Sequence, residues 1–293
     1  MAPKPNDPPL IVIAGETASG KTALAIKLAQ QFNGEIICAD SRTIYKGMDI
    51  GTAKPTAEER AAVPHHLLDV VSPAQPFTVA DFKELALAAI KDISARGCIP
   101  FLVGGTGLYI DAVAYDFDFT NPPNPQERAR LQAMTIQELQ QEIQNKGYDL
   151  PKNIQNPRHL ARVIETEGRI ASPQNTELRP NTLMIGLTID KDILKRKLAA
   201  RVEHMIAEGF TDEVRALLAE YPSDTPALQS TGYKAFRRYL TGEISLEQAK
   251  ADFVRNDFQL AKRQRTWFKR NKSIHRLRKQ EEVEDLITTF LNK

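Results

Sequence analysis

Apolar positions along the chain follow two patterns that alternate. The runs "LIVIA" (residues 10–14), "EIICAD" and "CIPFLVGG" are apolar at consecutive positions, as strands are when a parallel sheet is covered on both faces. Between them, "KTALAIKLAQQF" and "TVADFKELALAAIKDISARG" place apolar residues at helical spacing. Asn33 and Gly34 close the first of these helices; Thr78 and Asp81 open the second with the spacing of a capping box, and Gly97 stops it. Strand, helix, strand, helix, strand predicts a three-layer α/β domain around a parallel sheet. After Asp116 the chain turns polar and proline-punctuated, with helical patterning and no buried strand, until "NTLMIGLTI" supplies another strand. The segments "DKDILKRKLAARVEHMIAEG" and "TDEVRALLAEY" read as amphipathic helices, and a long helix starts at Ser245, with Gln248 completing a capping box, and runs toward Arg270. The pattern predicts a core formed by residues 10–116 and 182–293, with C-terminal helices, interrupted by an all-helical insertion at 117–181. Residues 1–9, "MAPKPNDPP", read as a short disordered leader.

Composition narrows the class. A chain of 293 residues that is 42% hydrophobic and 26% charged suits a soluble globular protein of one large or two ordinary domains. It has no apolar run of membrane-spanning length and no signal-peptide pattern, so a cytoplasmic location is expected. Cys38 and Cys98 sit in apolar stretches without CxxC or Cys/His spacing, which reads as two small buried hydrophobes rather than a disulfide or zinc site. The net charge of +2 hides an asymmetry. Nine of the eighteen residues from Lys262 to Lys279 are basic and none is acidic, leaving 30 bases against 37 acids elsewhere. A local basic segment on an acidic body marks a polyanion-binding surface.

The chemistry begins at "GETASGKT": Gly15, Glu16, Thr17, Ala18, Ser19, Gly20, Lys21 and Thr22. It matches the phosphate-loop pattern in its proper context, after a strand and before a helix. Backbone amides at the helix start would wrap a diphosphate, Lys21 would neutralise it, and the Thr22 hydroxyl would help hold Mg²⁺. This gives a P-loop NTPase-like core. The loop alone leaves the reaction open. Asp40, ending "EIICAD", suits the Mg²⁺ ligand of a kinase or ATPase acting on a small molecule, yet it also begins "DSRTIYKGMDIGTAKP", a loop suited to a second substrate.

Six motifs in order, "GETASGKT", "ADSRTIYKGMDIGTAKP", "HHLLDVVSP", "FLVGGTGLY", "GYK" and "AKRQRTWFKR", resemble the bacterial tRNA dimethylallyltransferases, or tRNA isopentenyltransferases, from about Leu10 to Leu277. The resemblance implies transfer of a five-carbon group from dimethylallyl diphosphate to the exocyclic amine of the adenosine 3′-adjacent to the anticodon, with diphosphate leaving. It implies Asp40 as general base, Thr106 beside the reacting adenosine, and Lys21 and Arg201 on the diphosphate. Residues 40–43 (Asp40, Ser41, Arg42, Thr43) would face the tRNA, as would Lys262, Arg263 and Arg265 of the basic helix. In the insertion, Arg128 and the run Arg158, His159, Leu160, Ala161, Arg162 resemble a clamp on the anticodon arm. Prenylation of free adenine nucleotides is the variant that the basic helix and the insertion argue against. A monomer is expected. Trp267 and Phe268 are expected to pack in the core while the charges face RNA, and His65 and His66 to pack a loop.

Four positions depart from the family's usual residues: Glu16 for Pro, Thr43 for a Gln that helps recognise the adenosine, His159 for Arg, and Ala235 for Glu. Glu16 puts a negative charge beside a phosphate site, which weakens donor binding unless the side chain points away.

Overall fold

The computed structural model describes residues 7–119, 124–168, 177–276 and 280–292. The chain divides into two units, one of residues 1–114 and 178–293 and one of residues 115–177.

The first unit opens with β1 (Leu10–Gly15), α1 (Lys21–Gln31), β2 (Gly34–Cys38), α2 (Ala57–Ala62), β3 (His65–His66), α3 (Val79–Ala95), β4 (Ile99–Gly104) and α4 (Gly107–Ala114). The second unit holds α5 (Pro125–Gln132), α6 (Ile136–Asn145) and α7 (Pro157–Glu165). The chain then returns through β5 (Thr182–Leu187), α8 (Lys191–Ala207), α9 (Phe210–Glu220), a 3-10 turn at Pro226–Gln229, α10 (Thr231–Leu240), α11 (Leu246–Arg270), β6 (Ile274–Arg276) and α12 (Gln280–Leu291).

Six parallel strands lie in the order β3-β2-β4-β1-β5-β6. Strand β1 is buried along its whole length, as its unbroken apolar run requires, and pairs Ile11 with Phe101 of β4 and Leu183 of β5. On one face of the sheet Ile11, Ile13, Phe101 and Ile185 pack with Leu28 of α1 and Val283 and Ile287 of α12. A second core of Phe210, Tyr233, Phe236 and Phe253 joins α9, α10 and α11. The carboxyl ends of β1, β2, β4 and β5 open together, which is where ligands bind in parallel α/β sheets.

Several elements differ from the sequence pattern. The segment after Asp40, read as a loop, contains α2 and β3, so His65 and His66 form an edge strand, and His66 pairs with Glu35 at 2.6 Å. Neither β6 nor α12 was legible, because β6 lies within the basic segment and α12 directly after it. Ser245 caps α11 through the Gln248 N–H, but the Gln248 side chain turns to Asp252 instead of closing the box. Cys38 is buried, which pushes its thiol up to about 12, whereas Cys98 is only half-buried. The first six residues of the expected leader lie outside the described residues.

The helical unit has its own core: Leu131 of α5, Leu139 and Ile143 of α6, and Leu160, Val163 and Ile164 of α7. Leu160, placed by sequence among the RNA contacts, is wholly buried there and cannot touch RNA. Around this core Arg128 donates two bonds to the buried Glu165, at 2.8 and 3.0 Å, and Arg162 reaches the same carboxylate at 3.3 Å. Arg158 and His159 are exposed, and Ala161 is half-buried.

Candidate active site at the phosphate loop

The phosphate loop turns from β1 into α1 through two left-handed residues, Ala18 (φ 58°) and Gly20 (φ 90°). Gly20 is the N-cap of α1 and has open space around it, so its glycine answers to backbone conformation rather than crowding. Gly15 answers to crowding: a Cβ there would lie 2.8 Å from the Leu187 carbonyl oxygen. The Lys21 ammonium folds back to donate to the Glu16 carbonyl at 2.6 Å. Desolvation lowers its pKa to about 8; the Asp40 charge acts against that fall and Arg201 adds to it. The Ser19 hydroxyl is buried without a protein partner, and Thr22, on the first turn of α1, is exposed.

Glu16 is resolved by the tertiary structure. Its carboxylate is 2% exposed and accepts two bonds from Arg265 of α11, at 2.9 and 2.7 Å, and one from the Ile189 N–H at 3.1 Å. The same guanidinium donates to the Ile189 carbonyl at 2.7 Å. The negative charge that the sequence places at the phosphate site is therefore paired. Arg265, expected on RNA phosphates, is instead committed to the loop.

The other side of the site is built from the segments that follow β2 and β4. Gly104 lets these ends close: a Cβ there would sit 2.0 Å from the Ala39 carbonyl oxygen. The Thr106 hydroxyl then accepts the Ser41 N–H at 3.0 Å, and the Thr106 N–H donates to Ala39 at 3.2 Å. Asp40 accepts the Arg42 N–H at 2.9 Å through one carboxylate oxygen. Thr43 is buried, with its hydroxyl turned to the Asp40 carbonyl at 3.4 Å. Its hydroxyl thereby ties the turn back to the Asp40 backbone. Beyond it the loop is braced by the buried Lys54 and the half-buried Glu213. Lys54 donates to the Tyr45 carbonyl and to Asp49, both at 2.6 Å, and also to Asp69. Glu213 accepts the N–H groups of Asp49, Ile50 and Gly51 and the Tyr233 hydroxyl.

Three α/β-core residues outside the sequence motifs' assigned roles join the site. Arg201, which the sequence did assign, donates to the Thr17 hydroxyl at 2.7 Å while its Nε is buried without a partner. Asp257 of α11 is buried and accepts the Thr231 hydroxyl at 2.8 Å; burial raises its pKa, with the Arg201 charge pulling the other way. Gln264 of α11 accepts the Thr17 N–H at 2.9 Å. The third, Trp267, is 39% exposed rather than core; it donates to Asp111 at 2.7 Å and covers Gly107, where a Cβ would meet the indole at 2.3 Å. Asp257, Ala261, Gln264 and Phe268 recur at helical spacing and are all buried, two of them polar side chains that the charges between them hid in the sequence. The opposite face of α11 carries Lys262, Arg263, Lys269 and Arg270, all exposed and without ion-pair partners among the described residues. Arg276 instead donates back to the carbonyls of Phe268, Lys269 and Asn271 at the end of α11. Arg278 and Lys279 lie outside the described residues.

Comparison with known proteins fits this geometry. The family model for IPP transferase matches residues 43–271, and that for isopentenyl transferase matches residues 8–71. A tRNA dimethylallyltransferase of Roseiflexus is 44% identical over 275 residues, covering 89% of this chain and 90% of its own. The crystal structure of the tRNA isopentenylpyrophosphate transferase of Bacillus halodurans superposes with a TM-score of 0.76 at 37% identity, covering 98% of this chain and 97% of that one. A eukaryotic dimethylallyltransferase acting on tRNA gives 0.74 at 28% identity, over 89% of this chain and 70% of its own. A family model matched over residues 43–271 and a relative 44% identical over most of both chains show that the chain belongs to the IPP transferase family.

Proposed function

We propose that this protein transfers the dimethylallyl group of dimethylallyl diphosphate to the exocyclic amine of the adenosine 3′-adjacent to the anticodon of tRNA. The observation that carries this reading is the bond from the Ser41 N–H to the Thr106 hydroxyl, which joins the Asp40 loop to the turn after β4 beside the phosphate loop. It supports a site with a base on one side and a grip for a leaving diphosphate on the other.

The bond between the dimethylallyl C1 carbon and the diphosphate oxygen breaks, the bond from C1 to the amine nitrogen forms, and the amine proton goes to the Asp40 carboxylate. The amine lone pair is delocalised into the purine, so a carboxylate ready to take its proton has value. Lys21, Arg201 and the loop amides meet the charge that develops on the diphosphate. A target base stacked in the anticodon loop must be extruded to reach Asp40, and the exposed Lys262, Arg263, Lys269 and Arg270 suit phosphates of the same RNA. Arg158 and His159 of the helical unit are exposed and suit the anticodon arm.

Mg²⁺ fits the donor set present. Among the described residues no group of three His, Cys, Asp or Glu could cage a metal, and Mg²⁺ in phosphate-transfer sites is held chiefly by substrate oxygens with one or two protein ligands. Thr22 would hold it, with the unpartnered Ser19 hydroxyl nearby in the loop. When bound it supplies further neutralisation of the diphosphate. The enzyme works as a monomer in the cytoplasm, where its tRNA is found; no described helix is long and apolar enough to cross a membrane.

Incubation with labelled dimethylallyl diphosphate, against tRNA and AMP in parallel, tests this reading. Label should appear on the adenosine after the anticodon and fall by about 10²-fold or more in Asp40→Asn. Label on AMP alone, or steady ATP turnover without use of the prenyl donor, overturns it.

A further inference from the structure

Resting on that reading, we propose that Gln264 is a positioning residue that sets the register between the donor-holding loop and the acceptor-side turn. Two backbone segments must be held against each other for transfer: the phosphate loop after β1 and the Gly104–Gly107 turn after β4. They belong to neighbouring strands, but past the strand ends the sheet ladder no longer fixes their separation.

The Gln264 side chain occupies that gap. It is 9% exposed, its Oε1 accepts the Thr17 N–H at 2.9 Å, and its amide nitrogen lies against Gly105 so closely that a Cβ at Gly105 would come within 2.4 Å of it. The same Cβ would lie 3.3 Å from the Gly15 carbonyl oxygen, so loop, amide and turn are mutually in contact. With Oε1 fixed as the acceptor of an N–H, the amide has one orientation, which presents its nitrogen to the turn. The next residue, Arg265, holds Glu16, and Arg201 holds the Thr17 side chain, so Gln264 is the member of this group that touches both segments. It reaches neither reacting atom through any contact of its own. Its effect passes through Thr17 and Gly105.

Misplacement of reacting groups by about 1 Å can cost 10²-fold in rate while leaving binding nearly intact. Gln264→Met keeps the volume and removes the acceptor; Gln264→Glu keeps the acceptor. In the full-length protein, Gln264→Met should lower kcat for tRNA prenylation by about 10- to 100-fold, with donor KM and tRNA Kd within about threefold of wild type. Gln264→Glu keeps the Thr17 acceptor but loses the nitrogen that faces Gly105, so its kcat should fall less than that of Gln264→Met while donor KM rises, because it adds a negative charge beside the diphosphate. Amide exchange at Thr17 in the free protein should quicken in Gln264→Met and stay protected in Gln264→Glu. The role is overturned by an unchanged kcat in Gln264→Met, by a loss confined to donor KM, or by Thr17 exchange that is equal in wild type and Gln264→Met. A wild-type protein that moves no label to tRNA overturns the functional reading itself, an outcome separate from an active wild type with an indifferent Gln264→Met.

Discussion

Two residues of the phosphate loop carry consequences that can be measured. Lys21 has its pKa lowered to about 8, first by desolvation. Below that pH the ammonium is charged and can meet a diphosphate; above it the charge is lost. We expect kcat/KM for the donor to fall as pH rises through about 8, with kcat falling later, because a bound diphosphate holds the proton on. A pH profile of both constants checks this, and a lysine of ordinary pKa would keep kcat/KM flat to beyond pH 10. Glu16 and Arg265 form a pair whose acidic side is almost wholly buried. Arg265→Met alone leaves that carboxylate without its counter-charge and should cost about 3 kcal/mol in denaturant unfolding, whereas Arg265→Met with Glu16→Pro, the family's usual residue, should recover most of the loss. Equal destabilisation in the single and double variants would show that the pair is not coupled.

Among the elements, α11 does two jobs on opposite faces. Its buried face, Asp257, Ala261, Gln264 and Phe268, packs against the core and braces the phosphate loop, while Lys262, Arg263, Lys269 and Arg270 on its exposed face have no ion-pair partner among the described residues. Removing Lys262 and Arg263 together should weaken tRNA binding alike across tRNA sequences and flatten the dependence of log K on log salt by about 0.7 to 0.9 per charge. Binding measured from 50 to 200 mM salt tests this; an unchanged slope would place the RNA elsewhere. Trp267 sits between the two faces, tied to Asp111, whose carboxyl is raised to about 6 chiefly by desolvation. Helical spacing alone could not say which of Trp267 and Phe268 turns inward. The packing partners decide it, with Phe268 buried and Trp267 laid over the bare backbone of Gly107.

At the scale of the whole molecule, the helical unit has a core of its own, and the first unit is continuous without it. The Arg179 N–H donates to the Ala114 carbonyl at 2.8 Å, so the chain leaves and re-enters the first unit at one place. Replacing residues 115–177 with a short glycine-rich linker should leave a cooperatively folded P-loop unit that binds the donor, with transfer to tRNA lost. Calorimetry and donor titration check the two halves of this expectation, and a linker variant that fails to fold would show that the units depend on each other.

How much of this was legible in the sequence follows from the range of the interactions involved. Strands β1, β2, β4 and β5 announce themselves by consecutive apolar residues, and the phosphate loop by eight contiguous residues whose backbone does the binding, so both are local properties that a string of letters contains. The braces on the loop are not local. Glu16 meets Arg265 across 249 positions and Thr17 meets Gln264 across 247, and which helix would lie over the end of β1 depends on the packing of the entire core. Leu160 was misread for a related reason: a motif fixes neighbours along the chain, while burial is fixed by the side of α7 that faces α6. The sequence by itself thus determined four of the six strands, the phosphate-loop pattern and the aspartate that follows β2. Only the tertiary structure decided that the charge of Glu16 is cancelled and that Thr43 supports the loop. It likewise decided how the basic helix divides between exposed charge and loop brace, because each outcome is set by the partners that folding alone brings within reach.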